Sequence, residues 1–147
     1  MSARSRFHLA IPVDDLPAAR AFYGKVLGCQ QGRDADRWVD WNLYGHQLVT
    51  HLTSFRIPPS HNTVDGQEVP VPHFGVLLEI GDFQTMVTRL RSADVQFVIE
   101  PYLRFAGEPG EQWTMFFRDP AGNALEFKAF ADDAAVFAGA EIGDGQP

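Results

Sequence analysis

The 147-residue chain carries 12 Lys and Arg against 19 Asp and Glu, a formal net charge of −7 that repels a phosphate backbone and argues against nucleic acid as a partner. A hydrophobic fraction of 45% with 12 Phe supplies a packed core, yet no run approaches the roughly 20 apolar residues of a membrane span. The start, MSARSRFHLAIPV, holds no apolar stretch long enough for a secretory signal, and the single cysteine, Cys29, has no internal disulfide partner, so a cytoplasmic protein is expected.

In RFHLAIPV, Phe7, Leu9 and Ile11 alternate with His8, Ala10 and Pro12, the period of a strand with one face on a core. Asp14-Asp15 then offers an N-cap, and Leu16, Ala19, Phe22, Tyr23 and Val26 follow at helical spacing until Gly28 ends the helix. A shorter strand is expected near Gly32. RWVDWNLYG and HQLVTHLTS read as two strands joined by a tight turn at Gly45. This half therefore reads β-α-β-β-β.

A polar, Pro-rich connection, IPPSHNTVDGQEVPVP, separates it from a second half with the same order. HFGVLLEIG is read as one strand, Asp82 as the cap of a helix through DFQTMVTRLRSAD, and VQFVIEP, QWTMFFRD and NALEFKAF as three further strands. YLRFAGEPGEQW, rich in Gly and Pro, reads as a rim or surface loop. An internal repeat of this kind implies an α+β fold: two βαβββ modules whose strands form a curved, partly closed eight-stranded mixed sheet with helices outside. One domain over 1–135 is expected, with module one at about 5–55, a linker at 56–71, module two at about 72–130, and a tail at 136–147 that is either frayed or a short packing helix.

Alternation assigns Leu9, Ile11, Phe74, Val76, Leu78, Leu125 and Phe127 to the helix-facing side. His8, His51, His73 and Glu126 fall on the other. The first strand of each half thus carries a histidine, and the last carries a further donor. Two His and one carboxylate with open positions suit a non-haem Fe(II) site, whereas a fourth ligand favours a more closed zinc, nickel or manganese site. A lone strand histidine is more often a hydrogen-bonded core or surface group, so the case rests on the symmetric placement of all four.

FHLAIPVDDLPAARAFYGKVLG, followed much later by FFRDPAGNALEF, resembles the vicinal oxygen chelate superfamily of glyoxalases, extradiol dioxygenases, fosfomycin-resistance enzymes and bleomycin-binding proteins, from about Arg6 to Phe130. The resemblance implies paired βαβββ modules, a homodimer, a small-molecule substrate, and a divalent metal held by His8, His73 and Glu126. His51 takes the place of a fourth ligand or of the acid/base group. Such a metal acts as a Lewis acid on two neighbouring substrate oxygens. The ligand set is similar to that of extradiol dioxygenases, which favours Fe(II) and a catechol-like or vicinal-diol substrate, although those enzymes carry a tyrosine where this chain has Phe116. A glyoxalase-type isomerase or lyase, a thiol transferase and a metal-free drug-sequestering protein are the alternatives. Tyr102, Arg104, Trp113 and Phe116 are the expected substrate-lining residues, with Arg104 or Arg118 able to hold a carboxylate or phosphonate.

Overall fold

The computed structural model describes residues 4–137, which fall into two compact units: 4–58 with Asp119–Asn123, and 59–118 with 124–137. Sheets dominate both units and helices are few.

In the first unit, strands β1 (His8–Val13), β2 (Gln30–Ala35), β3 (Trp38–Leu43) and β4 (His46–Leu52) form a sheet of order β1-β4-β3-β2, with β1 parallel to β4. The expected turn at Gly45 is present: Tyr44 and Gly45 both take positive φ, 50° and 89°, as a two-residue hairpin turn requires. Helix α1 (Leu16–Arg20) starts under Asp15, whose carboxylate accepts from the Ala18 amide at 2.9 Å. It continues as a π-helical stretch, Ala21–Val26. That widening corrects the expected apolar stripe. The Leu27 amide reaches back to the Phe22 carbonyl, so Leu27 is buried and Val26 only partly so. Leu16, Ala19, Phe22 and Tyr23 pack with Val13, Val39, Trp41 and Leu48 as the core of this unit.

The segment Asp119–Asn123 also belongs to this unit, and its polar atoms explain the D-P-x-G-N pattern. Buried Asp119 accepts from the amides of Ala121 and Asn123 and from the Asn123 side chain, at 3.0, 2.8 and 2.9 Å, and from the Tyr23 hydroxyl at 2.7 Å. Asn123 in turn donates to the Pro12 carbonyl, and Gly122, at φ 91°, makes the turn. Burial, then the neighbouring Asp119 charge, holds the Tyr23 hydroxyl well above the usual tyrosine pKa.

The second unit departs from expectation in three places. The supposed linker holds a hairpin, β5 (His61–Val64) and β6 (Gln67–Pro70), turned by Asp65 and Gly66 at φ 51° and 73°. The strand expected over 73–81 is two short pieces, β7 (His73–Phe74) and β8 (Leu77–Leu78), both parallel to β11 (Ala124–Phe130). Gly75 lies between them against the Glu126 backbone, where an added Cβ would stand 1.5 Å from the carbonyl oxygen. Helix α2 (Ile80–Ser92) begins under Glu79 rather than Asp82, which sits in its first turn.

Strands β9 (Phe97–Arg104) and β10 (Gln112–Arg118) complete a sheet of order β7-β11-β10-β9, with β8 also on β11. Tyr102 and Arg104 are therefore strand residues, and only 105–111 is loop. Fully buried Phe83 and Leu90, with Met86, line the inner face of α2, and Met115, Phe117, Leu125 and Phe127 fill the core of the unit. In place of one eight-stranded sheet, the described residues form sheets of four, five and two strands, none closed. A 3-10 turn spans Asp133–Phe137, and the rest of the expected tail lies outside the described residues.

Candidate metal site

Register decides which side chains meet. In the second unit Phe116 pairs with Glu126 and with Ile99, Thr114 with Lys128 and Tyr102, and Gln112 with Phe130 and Arg104. Directly opposed residues share a face, so Glu126, Thr114, Phe116, Lys128, Tyr102 and Arg104 all lie on the side opposite Leu125 and Phe127. His73, in register with Ala124, joins them.

There His73 Nε2 lies 3.1 Å from Glu126 Oε1, with the His73 side chain 30% exposed and the Glu126 side chain 4%. The other atom of each group is tethered: Nδ1 of His73 donates to the Pro70 carbonyl at 2.6 Å, and Oε2 of Glu126 accepts from the Thr114 hydroxyl. The Phe116 ring stands edge-on to the imidazole, centroids 5.1 Å apart, and Lys128 Nζ is 3.9 Å from Oε1. The hydrogen bond to Glu126 raises the His73 pKa against the opposing effect of burial, and the Pro70 carbonyl adds to it. Burial pushes the Glu126 carboxyl up, but the hydrogen bonds from His73 and Thr114 with the charge of Lys128 outweigh it and hold the pKa below the usual glutamate value. The pair is thus imidazolium and carboxylate at mildly acid pH.

This donor set fits a divalent cation. Two ligand atoms about 2.1 Å from one ion and at right angles lie about 3.0 Å apart, close to the Nε2 to Oε1 separation. A carbonyl on Nδ1 fixes the tautomer that presents Nε2, and a hydroxyl on the far carboxylate oxygen orients the near one, the usual outer support of metal ligands.

His8, in the first unit, is supported in the same way. Its Nδ1 lies 2.8 Å from Gln47 Oε1, while Gln47 Nε2 points to buried Asp40 at 3.4 Å, so the imidazole again presents Nε2. His8 lines a cavity of about 610 Å³ with Phe7, Arg33, Asp40, Trp41 and Gln47. His51 is exposed on the same sheet face but pairs with Pro12 and Trp38, whereas His8 pairs with Gln47. Four residues of strand, roughly 13 Å, separate the two rows. Among the described residues no group of three or more His, Cys, Asp or Glu stands close enough to hold a metal.

The substrate-lining expectations divide. Phe116 is fully buried beside His73, with Val69 and Ile99. Tyr102 donates to Asp65 at 3.1 Å and accepts from Arg104 Nε at 3.2 Å. Trp113 lies on the opposite sheet face, its ring 6.5 Å from that of Phe83 on α2. Thr114, Lys128, Gln47 and Pro70 were not among the expected site residues. Thr114 had a signal, a hydroxyl at an inward position of an apolar strand; the Pro70 carbonyl had none.

The family model described as the glyoxalase/bleomycin resistance protein/dioxygenase superfamily matches residues 6–127. A crystal structure of a glyoxalase/bleomycin resistance protein/dioxygenase from Alicyclobacillus acidocaldarius is 30% identical, covers 90% of this chain and 96% of that one, and superposes with a TM-score of 0.78. A lactoylglutathione lyase from Agrobacterium tumefaciens is 23% identical over 88% of this chain and 96% of that one, TM-score 0.61. A genomically encoded fosfomycin resistance protein from Listeria monocytogenes is 15% identical over 88% and 94%, TM-score 0.65. At that identity the last two share the fold. No curated protein matches the chain. With most of its length matched and the strand and helix order of both units in place, the chain belongs to the glyoxalase/bleomycin resistance protein/dioxygenase superfamily.

Proposed function

We propose that the protein is a metal-dependent enzyme acting on two neighbouring oxygens of a small molecule, with His73 and Glu126 as metal ligands and His8, by family resemblance, as the third. The observation that carries this reading is the 3.1 Å approach of His73 Nε2 to Glu126 Oε1 with the outer atom of each group tethered. A bound divalent cation supplies Lewis acidity toward substrate oxygens. The chain's own residues do the rest: Thr114 holds the carboxylate rotamer, the Pro70 carbonyl holds the imidazole, and Phe116 with Val69 and Ile99 keeps water from one side of the pair. His51 is taken as the acid/base group and not as a fourth ligand, a reading supported by the four residues of strand between its row and that of His8.

Fe(II)-dependent cleavage of a catechol-like substrate is the first reading of the reaction. A glyoxalase-type isomerisation is the second, favoured by the phenyl ring of Phe116 where a dioxygenase would carry a hydroxyl. Elemental analysis of protein purified without added metal, beside His73→Ala, Glu126→Gln and His8→Ala, tests the site. Metal bound by the parent and lost from all three supports it; equal content throughout removes it. Anaerobic loading with Fe(II), then oxygen and a catechol panel, tests the reaction. Oxygen uptake supports cleavage, and turnover of a methylglyoxal–thiol adduct without oxygen uptake moves the assignment to the isomerase.

A further inference from the structure

The face that carries Glu126 continues along the sheet to a second polar cluster with unmet hydrogen-bonding capacity. Arg104 and Gln112 oppose each other directly on β9 and β10, each less than a tenth exposed. Arg104 Nη2 and Gln112 Oε1 are both buried and have no hydrogen-bond partner. Arg104 Nε donates to the Tyr102 hydroxyl, and Gln112 Nε2 to the Gly110 carbonyl at 3.2 Å. None of the ion pairs among the described residues includes Arg104. The guanidinium instead lies against the rings of Tyr102 and Phe105, 5.9 and 5.8 Å from their centroids.

An uncompensated buried charge is costly, and so is an unpaired buried carbonyl, unless a bound group satisfies both. Here one open atom is a cationic donor and its cross-strand neighbour is an acceptor. A carboxylate or sulfate answers the first and not the second. An oxyanion that also carries an O–H answers both, accepting from Arg104 and donating to Gln112.

We propose that Arg104 and Gln112 form a subsite for an oxyanion bearing a hydroxyl hydrogen, either a singly protonated phosphoryl or phosphonyl group or a 2-hydroxy-carboxylate, entered by displacement of the 105–111 segment. The subsite lies two rows of the sheet from Glu126, about 13 Å along the strand. Its role as the substrate's anionic anchor rests on the reading of His73 and Glu126 as the reacting end; its capacity to bind an oxyanion does not. The cover is slight. The segment holds itself through the Gly107 amide on Glu111 Oε1 and the Glu108 amide on the Phe105 carbonyl, and it meets the pair through Phe105 and Gly110.

The test is calorimetric titration at constant ionic strength and slightly acid pH, with inorganic phosphate against sulfate and glycolate against acetate. Phosphate, glycolate or both should bind at least about tenfold more tightly than the matched anion without the O–H. Phosphate alone identifies the phosphoryl class, and glycolate alone the hydroxy acid. Arg104→Met should abolish binding. Gln112→Glu, which gives Arg104 an internal carboxylate, should abolish it with no loss of thermal stability. Bound metal, measured in the same samples, should be unchanged by either substitution, and His73→Ala should lose metal but still bind the anion. Equal binding of the paired anions, no binding of any, or undiminished binding by folded Gln112→Glu protein overturns the proposal.

Discussion

Asp119 and Glu126 stand close together in one stretch, DPAGNALE, and each is 5% exposed, yet they are held in opposite ways. The donors to Asp119 are two backbone amides of its own turn, one side-chain amide and a tyrosine hydroxyl that stays protonated. None of these four donors titrates near neutral pH. Glu126 is met by a threonine hydroxyl, an imidazole and a lysine, and the atom facing the last two is the one assigned to the cation in the proposed scheme. Equal burial therefore says little about role. A carboxylate ringed by fixed amides builds a turn, and one ringed by ionisable side chains builds a site.

The largest effect expected from breaking this contrast is in Asp119→Ala. It leaves two buried amides, the Asn123 side chain and the Tyr23 hydroxyl short of an acceptor, a loss of about 3 kcal/mol or more. Chemical denaturation should show that drop while folded protein keeps its metal content. Metal lost in step with Asp119 would erase the distinction.

Gly75→Ala attacks the other side, because its Cβ would overlap the Glu126 carbonyl and neither backbone can yield without parting β7 from β11. A loss of about 3 kcal/mol is expected, with metal binding lost even in the folded fraction. Ala10, likewise two residues after the strand histidine in the first unit, is exposed, and Ala10→Gly should cost only about 0.5–1 kcal/mol. Similar melting temperatures for the two variants would refute the close approach.

Alternation along each strand was enough to put His8 and His51 on one face of the first sheet and His73 and Glu126 on one face of the second, and the Tyr44-Gly45 turn was legible in its glycine. What alternation cannot supply is register. The distance between the rows of His8 and His51 depends on how β1 slides along β4, and the need for glycine opposite Glu126 depends on how β7 slides along β11. The hairpin within 56–71 was legible in Asp65-Gly66, but flanking prolines masked two strands of only four residues. Helix α1 carried the right residues at a spacing that the π-helical turn then stretched by one.

Glu126→Gln should have a smaller effect on stability, with a distinctive pH dependence in metal-free protein. The depressed Glu126 pKa contributes stability above the ordinary glutamate value that is lost as pH falls. The raised His73 pKa contributes stability below the ordinary histidine value that is lost as pH rises through its folded one. The two overlap between those ordinary values, and there the variant should be less stable by about 1–2 kcal/mol, the difference shrinking on either side. A melting-temperature difference flat from acid to neutral pH would separate the two groups.

The finest distinction lies in Thr114, which is fully buried and touches no substrate or metal in the proposed scheme. Its hydroxyl occupies Oε2 of Glu126 and so leaves Oε1 as the atom that faces His73. Thr114→Val keeps the shape and removes the donor, freeing the carboxylate to rotate and leaving one oxygen unpaired. Metal affinity should fall about 10–100-fold, the cost typical of losing outer support to a ligand, and Thr114→Ser should recover most of it. Titration with a divalent cation, read calorimetrically and not through turnover, separates orientation from chemistry. Because valine also suits a buried strand, an unchanged affinity in a stable Thr114→Val protein would mean that His73 and the cation alone orient Glu126, and that the hydroxyl serves packing, as the amides around Asp119 serve the turn.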